Sequence, residues 1–177
     1  MVNAEPHLLS SGTRDSARLL AQVYVDWARA SDSLQSHAGI FALRGVLPYV
    51  LHPHIHHYAS LSYRYLLNGN VLAARTFLGA LISYISPSGE TLPIGATGDE
   101  IIITHDSSLN FAQLAVRCVQ RAAGAQNKTV REAWVRLGGT YQSRGGILAH
   151  PEVRVVCELT FFFFSSILGA KYMSHRY

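Results

Sequence analysis

Four imidazoles lie within six residues at His52, His54, His56 and His57, a density that could hold a metal ion. On a helix His52 and His56 would share one face, but Pro53 interrupts that geometry. No Cys, Asp or Glu lies within ten residues on either side to complete a ligand shell. Since closed zinc sites normally have four spaced ligands, we predict a polar loop and no metal site.

Two further groups could take part in acid–base chemistry. Asp99 and Glu100 are adjacent, and adjacent residues of a strand point to opposite faces, so they are a poor catalytic pair. His105 and Asp106 could orient one another in a small hydrolase, although a role as helix caps fits them better. The chain has no GxSxG, P-loop, HExxH or GxGxxG motif. We therefore predict that it is not an enzyme and has no cofactor.

Composition favours a large buried area, a partner surface, or both. Hydrophobic residues make up 49% of the 177 residues and charged residues only 15%. The net charge of +4 comes from scattered arginines, which argues against nucleic-acid binding. Cys118 and Cys157 lie in apolar helical contexts outside any CxxC motif, so we expect buried free thiols in a reducing cytosol.

Membrane insertion is not expected. The amino terminus has an acidic residue and no basic segment, unlike a secretory signal. The longest apolar run, Leu159–Ala170, is shorter than the roughly 20 residues that a membrane span needs. We expect it to belong to a buried terminal helix.

Helical periodicity dominates the rest of the chain. Helices are predicted over Thr13–Ala30, Gln35–Leu51 with a kink or end at Pro48, Tyr58–Leu67, Val71–Ile85, Leu109–Ala123, Thr129–Tyr141 and from Pro151 onward. The predicted amino-terminal caps are Thr13 or Asp15, Asn70, Asp106–Ser108 and Thr129. A turn at Asn68-Gly69 would join two antiparallel helices. The pattern predicts an all-α fold, an α-solenoid of tetratricopeptide-like helix pairs, as a single domain over 1–177.

One segment, Ser86–His105, cannot be helical, and we predict a short β-hairpin insertion at about 91–104. A lone two-stranded ribbon is marginal in water, so it must pack against something else. By alternation Ile101 and Ile103 face one way and Ile102 the other. We predict a partner site on the ribbon and the following helix, formed by Leu92, Ile94, Ile101, Ile102, Ile103, Leu109, Phe111 and Leu114. The alternative is that these side chains only pack the ribbon onto the chain's own helices.

Several stretches resemble one known family over most of residues 4–158. They are Glu5–His7, Thr13–Ala17, Arg44–Tyr49, Tyr65–Asn70, Ala73–Arg75, Ser108–Phe111, Gln120-Arg121, Arg131–Trp134 with Leu137 and Tyr141-Gln142, and Pro151–Val153. In this order, with the hairpin between the same helices, they resemble the Golgi-to-ER-traffic protein four family. That family is the α-helical scaffold of the machinery that targets tail-anchored proteins.

The resemblance implies a cytosolic adaptor that binds a ubiquitin-like partner, Golgi-to-ER-traffic protein five, through the hairpin-containing repeats. The chain matches only the carboxyl-terminal half of the family's repeats, so contact with the targeting ATPase, Golgi-to-ER-traffic protein three, is expected to be largely lost. Residues 50–64 form an atypical insert and residues 160–177 an atypical tail. The alternative function is a generic helical-repeat interaction domain with another ligand.

Overall fold

The computed structural model describes residues 4–46, 70–85, 91–94, 99–122, 128–149 and 151. Its helices are α1 (Ala4–Ser11), α2 (Arg14–Ala30), α3 (Leu34–Val46), α4 (Val71–Ile85), α5 (Ser107–Ala122) and α6 (Lys128–Gln142). Strands β1 (Thr91–Ile94) and β2 (Asp99–Ile102) form an antiparallel ribbon, and a short 3₁₀ turn spans Gly146–Ala149. The all-α fold class is confirmed, and the stacking of helix pairs into a solenoid stays a prediction.

Several predicted features lie outside the described residues. They are the cluster His52–His57, the insert 50–64, the Asn68-Gly69 turn, Cys157 and the tail 160–177. Within the ranges that are described, no helix is both long enough and apolar enough to cross a bilayer.

Three of the predicted helix caps are confirmed. Thr13 Oγ1 accepts the Ser16 N–H at 3.1 Å at the start of α2. Asn70 Oδ1 accepts the Ala73 N–H at 3.0 Å at the start of α4. Asp106 supplies the cap of α5, which begins at Ser107 instead of Leu109. These side chains satisfy amide groups that have no partner within the helix.

The cap predicted at Thr129 is wrong. Helix α6 begins at Lys128, so Thr129 lies inside its first turn. A Thr-x-x-Glu pattern locates a helix start only to within one or two residues, because the ends of helices fray.

Helix α1 has no sequence signal of its own and was not predicted. Its position depends on Glu5, whose carboxylate accepts both Nε and Nη2 of Arg44 at 2.6 Å. The Tyr24 hydroxyl donates to the same carboxylate at 2.6 Å. Pro6 is tolerated because it lies in the first turn, where amides lack helical partners. Tertiary contacts to α2 and α3 therefore hold a helix that local propensity does not indicate.

The core centres on aromatic rings where α2 and α3 meet α4. Tyr24 stacks on Phe41 with ring centroids 5.0 Å apart and meets Phe77 edge to face at 5.8 Å. Gly45 lies against the Phe77 ring so closely that a Cβ would overlap it. Helix α2 packs on α4, and α3 packs on both α4 and α5. This arrangement fixes α4 and α5 side by side, and β2 packs on α5.

Candidate partner-binding groove

Helix α5 holds the outer edge of β2. Ile102 N–H donates to Gln113 Oε1 at 2.9 Å, and Gln113 Nε2 donates to the Ile102 carbonyl at 2.8 Å. Arg117, one helical turn further along, donates to the Glu100 carbonyl at 3.0 Å. These side chains satisfy edge groups that would otherwise need a further strand. The ribbon is therefore attached to the helical body by its backbone.

The register of the ribbon determines which backbone groups lie on the outer edge of β1. Ile102 and Glu100 point their backbone groups toward α5, and so away from β1. Pro93 pairs with Glu100, so its backbone also points outward, on the far edge of β1. Proline has no N–H to donate to an added strand. The ribbon is thus suited to form a wall of a groove and poorly suited to accept a further strand.

A groove of about 350 Å³ lies between α4, β2 and α5. We call it the ribbon groove. Its apolar lining includes four buried side chains, Leu78, Ile82, Ile101 and Val116. Its polar lining is formed by Arg75, Glu100, Gln113 and Arg117.

Gly79 opens the groove on the α4 side. It lies in the interior of the helix, and a Cβ built on it would meet nothing within 4 Å. Glycine in a helix interior is unfavourable by about 1 kcal/mol relative to alanine. The missing side chain leaves space for an occupant above the apolar lining.

The structure brings only part of the predicted partner site to this groove. Ile101 is 8% exposed in the lining, and the partly buried Ile102 lies beside it. Leu109 and Phe111 are 1% and 2% exposed and belong to the core. Leu114 is partly buried and lines a different groove, between α5 and α6.

The remaining predicted residues are not part of the described groove lining. Ile103 is 43% exposed and lies beyond β2, which ends at Ile102. Its neighbour Thr104 instead donates its N–H to Asn110 Oδ1 at 3.0 Å. Ile101 and Ile103 thus differ in exposure, and the predicted common facing of their side chains stays a prediction. Leu92 and Ile94 lie in β1, whose side chains are outside the described set.

Sequence reasoning did not identify Gly79, Gln113, Arg75 and Arg117 as groove residues. A glycine inside the apolar helix Val71–Ile85 was the available signal for the first. A buried glutamine within the apolar stripe of α5 was the signal for the second, since buried amides need partners.

Of the candidate acid–base pair His105 and Asp106, Asp106 has a structural role. Asp106 Oδ1 accepts the Ser108 and Leu109 N–H groups at 2.8 and 3.2 Å. Its Oδ2 accepts the Gly39 N–H of α3 at 2.8 Å. The carboxylate is therefore a helix cap that also ties α5 to α3, while His105 is exposed. No cluster of potential metal ligands occurs among the side chains that the structure describes.

The described part of the chain is a helical body with an apolar surface groove beside a two-stranded ribbon, and apolar grooves of this kind receive polypeptide segments in other proteins. The family model for Golgi to ER traffic protein 4 matches residues 1–159. The chain belongs to this family, which works in the targeting of tail-anchored proteins. No curated protein matches the chain. No solved structure matches it.

Proposed function

We propose that the chain is a non-enzymatic cytosolic adaptor in the delivery of tail-anchored proteins to the endoplasmic reticulum. In this role it binds the amino-terminal segment of the ubiquitin-like Golgi-to-ER-traffic protein five. The observation that carries the proposal is the ribbon groove, an apolar surface left open at Gly79 in a member of this family.

The shape of the groove favours an inserted side chain over strand addition. An apolar side chain of the partner would lie over Gly79 and contact Ile82 and Ile101. Such central, desolvated anchors carry most of the binding energy of an interface. The partner's backbone does not need to extend the sheet, whose free edge lacks a donor at Pro93.

Charges beside the lining would fix the direction of the bound segment. Arg75 and Glu100 are exposed and both line the groove. A partner segment with an acidic residue for Arg75 and a basic residue for Glu100 could pair with both in only one orientation. Such charge complementarity contributes to specificity more than to affinity. We therefore expect a partner segment with an apolar anchor flanked by charged residues.

The experiment compares Ile102→Asp with Ile103→Asp. Ile102 lines the groove, so an aspartate there would be desolvated without a partner, and the Kd should rise about 100-fold or more. Ile103 is 43% exposed and outside the groove lining, so its aspartate variant should change the Kd by less than about threefold.

The measurement is calorimetric titration of each full-length variant with the purified amino-terminal segment of the ubiquitin-like partner. Circular dichroism and melting temperature serve as controls for folding. Normal binding by both variants, or loss of binding only through unfolding, would show that the ribbon is not the docking element.

A further inference from the structure

Helix α1 is held to the rest of the chain by a small set of contacts. It has eight residues, and isolated helices shorter than about 12–15 residues are marginal in water. Among its side chains whose burial the structure describes, only Leu9 is buried. Its charged anchor, Glu5, lies four residues before Leu9 and so on the same face of the helix. We therefore expect α1 to detach at a much lower free energy than global unfolding requires.

The surface that holds α1 is specific for its sequence. Arg44 donates from Nε and Nη2 to the two carboxylate oxygens of Glu5, each at 2.6 Å, and the Tyr24 hydroxyl donates to Oε1 at 2.6 Å. We call Tyr24, Arg44 and the apolar surface around Leu9 the α1 site. Two-pronged pairs of this kind impose a geometry as well as an attraction. A helix that carries glutamate and, four residues later, leucine therefore fits this site.

Gly12 folds α1 back onto its own chain. Only Gly12 and Thr13 separate α1 from α2, and the φ of Gly12 is +62°, in the left-handed region that glycine adopts freely. If α1 and α2 formed one continuous helix, Glu5 and Tyr24 would lie about 28 Å apart along it. Their oxygen atoms are instead 2.6 Å apart. A helical φ at Gly12 would thus carry α1 away from the α1 site of its own chain.

We propose that two copies of the chain exchange α1, so that Glu5 of each copy binds Arg44 and Tyr24 of the other. The second copy carries an identical helix, and every side-chain contact of α1 is therefore regained without a new complementary surface. A short connection favours such an exchange, and here it can join α1 and α2 into one helix. In dilute solution the chain's own α1 competes at an effective concentration of about 1 mM, so the exchange increases with protein concentration.

Reversing the charges of the ion pair tests the exchange. Glu5→Arg brings two guanidinium groups together, and Arg44→Glu brings two carboxylates together, so neither variant can dock α1 on its own chain or on an identical copy. In an equimolar mixture of the two full-length variants, each α1 finds a complementary charge only on the other chain. A dimer with one copy of each is expected at protein concentrations at least about tenfold below those at which the parent dimerises. Sedimentation velocity measures the mass, and circular dichroism measures the helix content.

The matched control carries both substitutions in one chain. The complementary pair is then restored within that chain, so its self-association should equal that of the parent. A mixture of the single variants that stays monomeric would overturn the proposal. Dimers formed by either single variant alone would also overturn it, because they would not depend on the pair of Glu5 and Arg44.

A further variant leaves the α1 site unaltered. Alanine in place of Gly12 is strained at a φ of +62°, and its Cβ would lie 3.0 Å from Asn70 Nδ2. A continuous helix relieves the strained φ in both copies, so Gly12→Ala should lower the Kd of dimerisation about tenfold or more. Gly139→Ala, whose Cβ meets nothing within 4 Å, should leave the Kd unchanged. Equal self-association of these two variants would overturn the proposal, because Gly12 would then not determine where α1 binds.

Discussion

The side-chain amide of Gln113 binds both backbone groups of Ile102. Its Oε1 accepts the Ile102 N–H at 2.9 Å, and its Nε2 donates to the Ile102 carbonyl at 2.8 Å. The Gln113 side chain thus makes the two hydrogen bonds that a neighbouring strand would make to Ile102. Gln113 is buried, with 8% of its surface exposed. This relationship fixes the wall of the ribbon groove relative to its helical side.

Replacing Gln113 with Leu should weaken the attachment of β2 to α5. Two backbone groups of Ile102 would lose their partners, at a cost of about 1–3 kcal/mol in unfolding free energy. The Ile102 amide should exchange with deuterium faster, while amides in the middle of α2 keep their protection. Gln22→Leu is the control, because Gln22 bonds only to the exposed Asp26 in the described structure. Unchanged exchange at Ile102 would show that other contacts hold the ribbon.

The sequence predicted the elements well where local signals decide them. Thr13 and Asn70 cap α2 and α4 as predicted, since the cap bonds lie within three residues of the capping side chain. The ribbon was also predicted, because glycine, proline and β-branched residues interrupt a helical pattern. Helix α1 was missed because its main anchor, Glu5, bonds to Arg44, which is 39 residues away.

The candidate site was predictable only in part. Its location beside the ribbon followed from the sequence, but which isoleucine faces the groove depends on where β2 ends. Leu109 and Phe111 belong to the same apolar stripe of α5, and no pattern shows that the helical body covers them. The role of Gly79 in the groove could not be predicted, because it depends on the open space above this residue in the folded chain.

Tyr24 should make stability depend on alkaline pH. Burial, and next the Glu5 carboxylate, raise the pKa of this phenol well above its ordinary value. The folded protein therefore keeps this proton at a pH where the unfolded chain loses it, so stability falls above about pH 10 by about 1.4 kcal/mol per pH unit. Below that pH the contribution is fully present.

The Tyr24→Phe variant isolates this effect. Near neutral pH it should be less stable than the parent by about 1–3 kcal/mol, because Glu5 loses a hydrogen bond. The difference should narrow as pH rises above about 10, since only the parent has the Tyr24 proton to lose. Denaturant titrations at several pH values measure this, with Tyr84→Phe, at a 39% exposed residue, as the control. A constant difference would contradict the prediction.

Gly45 should not tolerate even a methyl group. A Cβ at this position overlaps the fully buried ring of Phe77, so Gly45→Ala should lower the unfolding free energy by about 1–3 kcal/mol. Gly139→Ala in α6 meets nothing within 4 Å and should instead stabilise the chain by about 0.5–1 kcal/mol. Chemical denaturation compares the two variants. If Gly45→Ala were as stable as the parent, α3 and α4 would not be packed as closely as described.

The most direct test of the central claim fills the ribbon groove at Gly79. Gly79→Trp should fold normally, because a Cβ there meets no other atoms, but its ring would occupy the space proposed for the partner's anchor. Gly139→Trp places the same side chain in similarly open surroundings on α6, away from the groove lining. Calorimetric titration with the ubiquitin-like partner's amino-terminal segment should show a Kd raised about 100-fold for Gly79→Trp and unchanged for Gly139→Trp. Equal, parent-like affinity in both variants would contradict the proposed docking site.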